Sequence, residues 1–176
     1  AAGLAPAVAY KAAGSNSAKM FRCNDATCTT STSAVQTYVA GLFVGQRPSI
    51  ALPSDNRPII AHYDSQNFDL LVTRCGDPDC ELGNSTQIIH GAGTVGYSPA
   101  IALAQGFPVI AYVETSTPRV LVARCSFLDC SQGTGFATVQ TLTNFLGMVN
   151  ITLSPEERPI ITYMGRMVRC AGVGCG

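Results

Sequence analysis

Residues 58–80 read Pro58-Ile-Ile-Ala-His-Tyr-Asp-Ser-Gln-Asn-Phe-Asp-Leu-Leu-Val-Thr-Arg-Cys-Gly-Asp-Pro-Asp-Cys80. The nearly continuous apolar run from Pro58 to Tyr63 has the character of a strand covered on both faces. Asp64-Ser-Gln-Asn67 then supplies turn chemistry. The next run, Asp69 to Cys75, has period two, with Leu71, Thr73 and Cys75 on one face and Leu70, Val72 and Arg74 on the other. The stretch is an antiparallel hairpin that ends in a short loop bounded by cysteines.

That hairpin recurs. Its ending, Arg-Cys-x4-Cys, stands at Arg22-Cys23 with Cys28, Arg74-Cys75 with Cys80, Arg124-Cys125 with Cys130 and Arg169-Cys170 with Cys175, which uses all eight cysteines. Its beginning stands at Pro6-Ala-Val-Ala-Tyr10, Pro58-Ile-Ile-Ala-His62, Pro108-Val-Ile-Ala-Tyr112 and Pro159-Ile-Ile-Thr-Tyr163, with prolines 52, 50 and 51 residues apart. A third signature precedes three of these, in Ser49-Ile-Ala-Leu52, Ala100-Ile-Ala-Leu103 and Asn150-Ile-Thr-Leu153. The chain is an internal repeat, and its fold has to be derived unit by unit.

Within the second unit the spacing predicts strand a at Ser49–Leu52, b at Pro58–Tyr63, c at Asp69–Cys75 and d at Thr86–His90, the last matched by Ala34–Val39 and Ala137–Thr143. A glycine follows each d, at Gly45, Gly96 and Gly147, which suggests positive φ or a close backbone approach there. No window has sustained helical spacing, so the expected class is all-β. Four short antiparallel strands in about 50 residues is the arithmetic of a propeller blade or of stacked sheets. One repeat domain, 1–176, is expected, with units 1–45, 46–96, 97–147 and 148–176. The first unit reads b-c-d and the last a-b-c. The first therefore lacks strand a and the last lacks strand d, leaving sheet edges that invite pairing.

The Pro-x-Ile/Val-Ala-Tyr run, the Arg-Cys hairpin and the Cys-x4-Cys loop resemble those of secreted bacterial repeat proteins whose units are propeller-like blades. The resemblance covers nearly the whole chain and implies architecture more than activity. The repeat, the sequons and the unfinished ends also resemble glycan-coated extracellular fibril subunits. With no Trp, the Trp-Asp signature and the aspartate-box ending of sialidase-type blades are absent, and a sialidase reading has no support.

Composition narrows the class further. The chain is 47% hydrophobic and 12% charged, which excludes disorder, and no apolar run is long enough for a membrane span. Eleven basic and eleven acidic residues balance, leaving no electrostatic footprint for nucleic acid. Local cysteine pairs fit an oxidising compartment, hence an extracellular or cell-surface location. The chain starts at Ala1 with no methionine or leader, as expected where a signal peptide has been removed. The sequons at Asn84 and Asn150 and the hydroxyls of Thr29, Thr30, Ser31, Thr32 and Ser33 are candidate sites for covalent glycans.

Each chemical candidate has a plainer reading beside it. The cysteine pairs are disulfides closing six-residue loops or half-sites for zinc; structural zinc favours tighter Cys-x2-Cys spacing and four convergent ligands. Acids in these loops, Asp25, Asp77, Asp79 and Asp129, suit turns better than calcium, since Cys170-Ala-Gly-Val-Gly-Cys175 has none. Arg22, Arg74, Arg124 and Arg169 form an anion-binding row or, structurally, pack against the strand b residues Tyr10, His62, Tyr112 and Tyr163. His62 replaces a tyrosine and reads as packing. Paired carboxylates occur at Glu156-Glu157 and in Asp77, Asp79 and Glu81, both read as solvated loops. No nucleotide, metal or serine-nucleophile fingerprint is present, so no cofactor and no catalysis are expected. The functional expectation is a structural subunit of an extracellular fibre or surface assembly, polymerising with itself head to tail. The alternative is a multivalent glycan- or protein-binding module.

Overall fold

A computed structural model of the chain describes residues 5–13, 17–29, 31–32, 44–144 and 147–175, with only the backbone path at 31–32 and 44–45. Among them there is no helix; fourteen strands form four antiparallel sheets in chain order. The first sheet is β1 (Ala7–Lys11), β2 (Ala18–Cys23) and β3 (Ser31–Thr32). The second is β4 (Val44–Ala51), β5 (Ile59–Asp64), β6 (Asp69–Arg74) and β7 (Ser85–His90). The third is β8 (Tyr97–Ala104), β9 (Phe107–Glu114), β10 (Arg119–Arg124) and β11 (Gly135–Thr141). The fourth is β12 (Val149–Leu153), β13 (Pro159–Tyr163) and β14 (Arg166–Arg169). The sheets therefore read b-c-d, a-b-c-d, a-b-c-d and a-b-c, and each is a simple meander. The expected strand at Ala34–Val39 lies outside the described residues.

Strand a is longer than its apolar core predicts. β4 begins at Val44, and its register against β5 shifts twice before Ser49; β8 shifts between Tyr97 and Ala100. Arg47 and Ser98 have φ of 49° and 53° at these bulges, and each precedes a proline. A bulge is where a strand tolerates a residue without an N–H, so Pro48 and Pro99 bend the strand and do not end it.

The sheets stack face to face, and three cores lie between them. Ala18 and Met20 meet Ile60 and Leu71 between the first and second sheets. Ile59, Ala61 and Val72 meet Ile101, Ile110 and Tyr112 between the second and third. Val109, Ala111 and Val122 meet Ile161 and Tyr163 between the third and fourth. Both faces of β5 and β9 are thus covered, and every residue of β5 is buried, as its unbroken apolar run requires. Successive strands a also touch one another, β4 with β8 and β8 with β12. No comparable contact joins the fourth sheet to the first among the described residues, so a closed ring is not seen.

Gly96 meets both expectations placed on it: φ is 84°, and an added Cβ would lie 2.5 Å from the Leu70 backbone. Gly147 meets neither, because its nearest neighbour is the Met164 side chain at 3.8 Å. Periodic spacing alone did not separate these two cases.

Candidate functional site

The seam between successive sheets is where the repeated residues converge. In each unit the first cysteine N–H donates to the carbonyl of the strand b proline at 2.9 Å: Cys23 to Pro6, Cys75 to Pro58, Cys125 to Pro108 and Cys170 to Pro159. An antiparallel pair normally exchanges two such bonds, and proline has no N–H for the second. The ladder stops there, which releases the chain into its loop. All four cysteine pairs are disulfides, with Cα atoms 4.7 to 5.0 Å apart. The second cysteine closes a tight turn by donating to the residue three before it, and it is held at φ between 55° and 61° in every unit.

The loop acids act within their own turns. Asp77 accepts the N–H groups of Asp79, Glu81 and Leu82, and these bonds hold its carboxyl below the usual range although burial opposes them. Asp25 binds both Thr27 and Thr29 through their hydroxyls at 2.7 Å, which lowers its pKa as well. Asp129 accepts the Ser131 N–H at 3.1 Å. These contacts are the turn chemistry expected of Asp in such loops.

The arginine row does something the sequence did not indicate. Arg22, Arg74, Arg124 and Arg169 stand opposite Ala7, Ile59, Val109 and Ile160, three positions from the strand b aromatic. They do not pair with Tyr10, His62, Tyr112 or Tyr163; the first three reach for a–b turns, and Arg22 also for the next unit's loop. Arg22 donates to Asn56 Oδ1 at 2.7 Å and to the Pro78 carbonyl at 2.8 Å, with Asp79 at 3.9 Å, so it clasps the first sheet to the second. Arg74 pairs with Asp55 and donates to the Arg57 carbonyl; the pKa of Asp129 in the third unit's loop is lowered first by its hydrogen bonds from Ser131, and least by the charge of Arg74. Arg124 Nη2 donates to Gln105 Oε1 at 2.9 Å. Arg169, on the last sheet, is exposed.

Other seam contacts went unread. Arg47 lies 4.3 Å over the Tyr97 ring and donates to its hydroxyl at 2.6 Å, while Tyr97 stands edge-on to Tyr63. His90 Nδ1 is 2.8 Å from the Tyr112 hydroxyl and its ring packs on Phe136. Asp64 and Asp69 stand directly opposite each other at a hairpin end, both buried, a carboxylate pair absent from the sequence reading. Asp64 is committed to its turn, accepting Gln66 N–H at 2.8 Å and Asn67 Nδ2 at 2.8 Å. Burial first, and then the charge of Asp64, raises the pKa of Asp69. A mirror-image signal, Asp before and after the turn residues, was the available clue.

The sequons sit in different settings. Asn84 is half-buried and brackets the Cys75–Cys80 loop, accepting Gly76 N–H at 3.1 Å and donating to the Cys80 carbonyl at 2.8 Å. Asn150 is exposed on the outer face of the last sheet, opposite Thr162. Thr29 is exposed, its hydroxyl on Asp25; Ser31 and Thr32 form β3, and Thr30 and Ser33 lie outside the described residues.

The two end faces contrast with the seams. Pro6, Val8 and Tyr10 occupy the positions that in the second and third sheets are Pro58, Ile60, His62 and Pro108, Ile110, Tyr112, all buried against the preceding sheet. On the first sheet Val8 is 50% and Tyr10 38% exposed. At the other end Asn150, Thr152 and Thr162 stand where the inner sheets carry Ser49 or Ala100, Ala51 or Ala102, and Ala61 or Ala111. Small residues that let sheets approach are replaced there by polar ones. Among the described residues no helix is long and apolar enough to cross a membrane. No protein-family model and no curated protein matches this chain, so its function has to be read from these faces and seams.

Proposed function

We propose that the chain is a non-enzymatic structural subunit of an extracellular, glycosylated fibre or surface assembly, its propeller-like sheets continuing from copy to copy, head to tail. The observation that carries this reading is the exposed stripe of Pro6, Val8 and Tyr10 on the first sheet, the same stripe that every inner seam buries. A contact that repeats the inner seam joins two different surfaces, which is the heterologous type that builds open filaments when its rotation does not close a ring. Four disulfides support the extracellular location, since such bonds persist in oxidising compartments. The seams differ in turn length and in the partners of their arginines, which weighs against a module with equivalent pockets.

Light scattering and electron microscopy of the protein purified without reductant test this reading. Regular fibres are expected, and Val8→Glu with Tyr10→Glu should return the sample to subunits of 18.4 kDa. A wild-type protein that stays monomeric at high concentration overturns the reading.

A further inference from the structure

The repeat supplies its own control for each arginine of the seam. Arg22 lies 3.9 Å from Asp79 of the next unit's cysteine loop, whereas Arg74 pairs with Asp55 of its own a–b turn and only shares a surface depression with Asp129, at the same loop position as Asp79. Arg124 has neither. The loop position in the next unit is Gly174, and the third unit's a–b turn is the two-residue Gln105-Gly106 with no acid. Among the described residues its guanidinium forms no ion pair, and its Nε is buried without a hydrogen-bond partner. Glu157 accepts the N–H of Gln105, the residue to which Arg124 donates.

A cleft lies where the missing acids would stand. It is about 640 Å³, open to solvent, and is lined by Arg124, Phe107, Gly135, Gly172, Val173 and Gly174. Gly174 lies against the arginine stem, since an added Cβ would sit 3.5 Å from Arg124 Cδ. The Phe107 side chain is 37% exposed at the rim.

We infer that the cleft between the third and fourth sheets is a binding site for a carboxylate-bearing sugar, a hexuronate, whose carboxylate stands to Arg124 as Asp79 stands to Arg22 and Asp55 to Arg74. With Nη2 held by Gln105 and Nε shielded from solvent, Nη1 is the donor left for a carboxylate, in a charge-assisted hydrogen bond. Phe107 and Val173 give the sugar ring an apolar wall beside that charge, the usual composition of a small-molecule site. The site is independent of head-to-tail growth, because it lies within one chain.

The test is an NMR titration of the folded chain with sodium glucuronate, with glucose and acetate as controls at constant ionic strength. Saturable shifts at Arg124 and residues 172–174 with glucuronate, and none with glucose, are expected. Arg124→Gln should weaken binding at least tenfold. Gly174→Asp places an internal carboxylate in the cleft, as at Asp79, so it should abolish binding and raise the melting temperature. The second variant keeps the test decisive should the first fail to fold. Glucuronate shifts no larger than those of glucose overturn the site, as does undiminished binding by Gly174→Asp. Equal affinity for acetate overturns its assignment to a sugar.

Discussion

His62 sits in β5 where the other units place tyrosine, fully buried, with Nε2 2.9 Å from Thr73 Oγ1 and that hydroxyl 2.8 Å from Thr86 Oγ1. Its Nδ1 has no partner among the described residues. Burial lowers its pKa from 6.5 to about 4, with the charge of Asp64 opposing weakly. The folded state therefore resists a proton that the unfolded chain accepts below about pH 6.5. The stability linked to this residue is complete above that pH and is lost as pH falls toward 4, by about 3 kcal/mol in total. Urea unfolding at pH 7.5 and 4.5 should show this loss in the wild type and a much shallower one in His62→Tyr. Equal slopes would show that another group carries the pH dependence. The histidine could be located in the sequence, and its packing role inferred from the tyrosines beside it. Its hydroxyl chain could not, because Thr73 and Thr86 come from different strands brought level by register.

At the scale of the element, the cysteine loop is a device for ending one strand and holding a turn. Proline in strand b leaves the ladder one bond short, and the loop that follows places its second cysteine at positive φ in all four units. A residue with a Cβ at such φ costs about 1–2 kcal/mol, which the crosslink offsets. Closing a loop of this length contributes about 2 kcal/mol by the chain-entropy estimate. In the third unit, Cys125→Ala with Cys130→Ala should therefore lose about 2 kcal/mol, because alanine keeps the same strained φ and only the crosslink is removed. Cys125→Ala with Cys130→Gly should recover about 1 kcal/mol of that, since glycine adopts this conformation freely. Denaturant midpoints of the two double variants measure the difference, and equal midpoints would show that the turn relaxes once the crosslink is gone. The pairing and the strand types were legible because both depend on neighbours in sequence. The bulges were not: the extension of strand a back through Pro48 and Pro99 depends on the register of the partner strand, which shifts there.

For the whole molecule, what matters is which faces are finished. The inner sheets approach through Ser49, Ala51 and Ala61 or through Ala100, Ala102 and Ala111, whereas the last sheet presents Asn150, Thr152 and Thr162. Polar outer faces are how terminal repeats of stacked arrays stay soluble. Replacing all three of these by alanine gives the last sheet the surface of an inner one. The association constant should then rise about tenfold, equivalent to about 1.4 kcal/mol, measured by concentration-dependent light scattering. An unchanged constant would place the growing contact elsewhere. A glycan on Asn150 would stand on the same face, so occupancy of that sequon and stacking there exclude each other on steric grounds.

The sequence by itself determined the repeat, the order of strands in each sheet, the cysteine pairing and the turn role of the loop acids. All of these rest on period two, fixed spacing or contacts within a few residues. Only the tertiary structure decided which acid meets which arginine. Asp79 reaches Arg22 of the preceding unit across a seam formed by stacking, Arg74 turns to Asp55 of its own unit, and Gly174 leaves Arg124 without an acid. Stacking order also separates the covered stripe at Ile60 and Ile110 from the exposed one at Val8, because the three have the same local pattern and differ only in the sheet that lies against them.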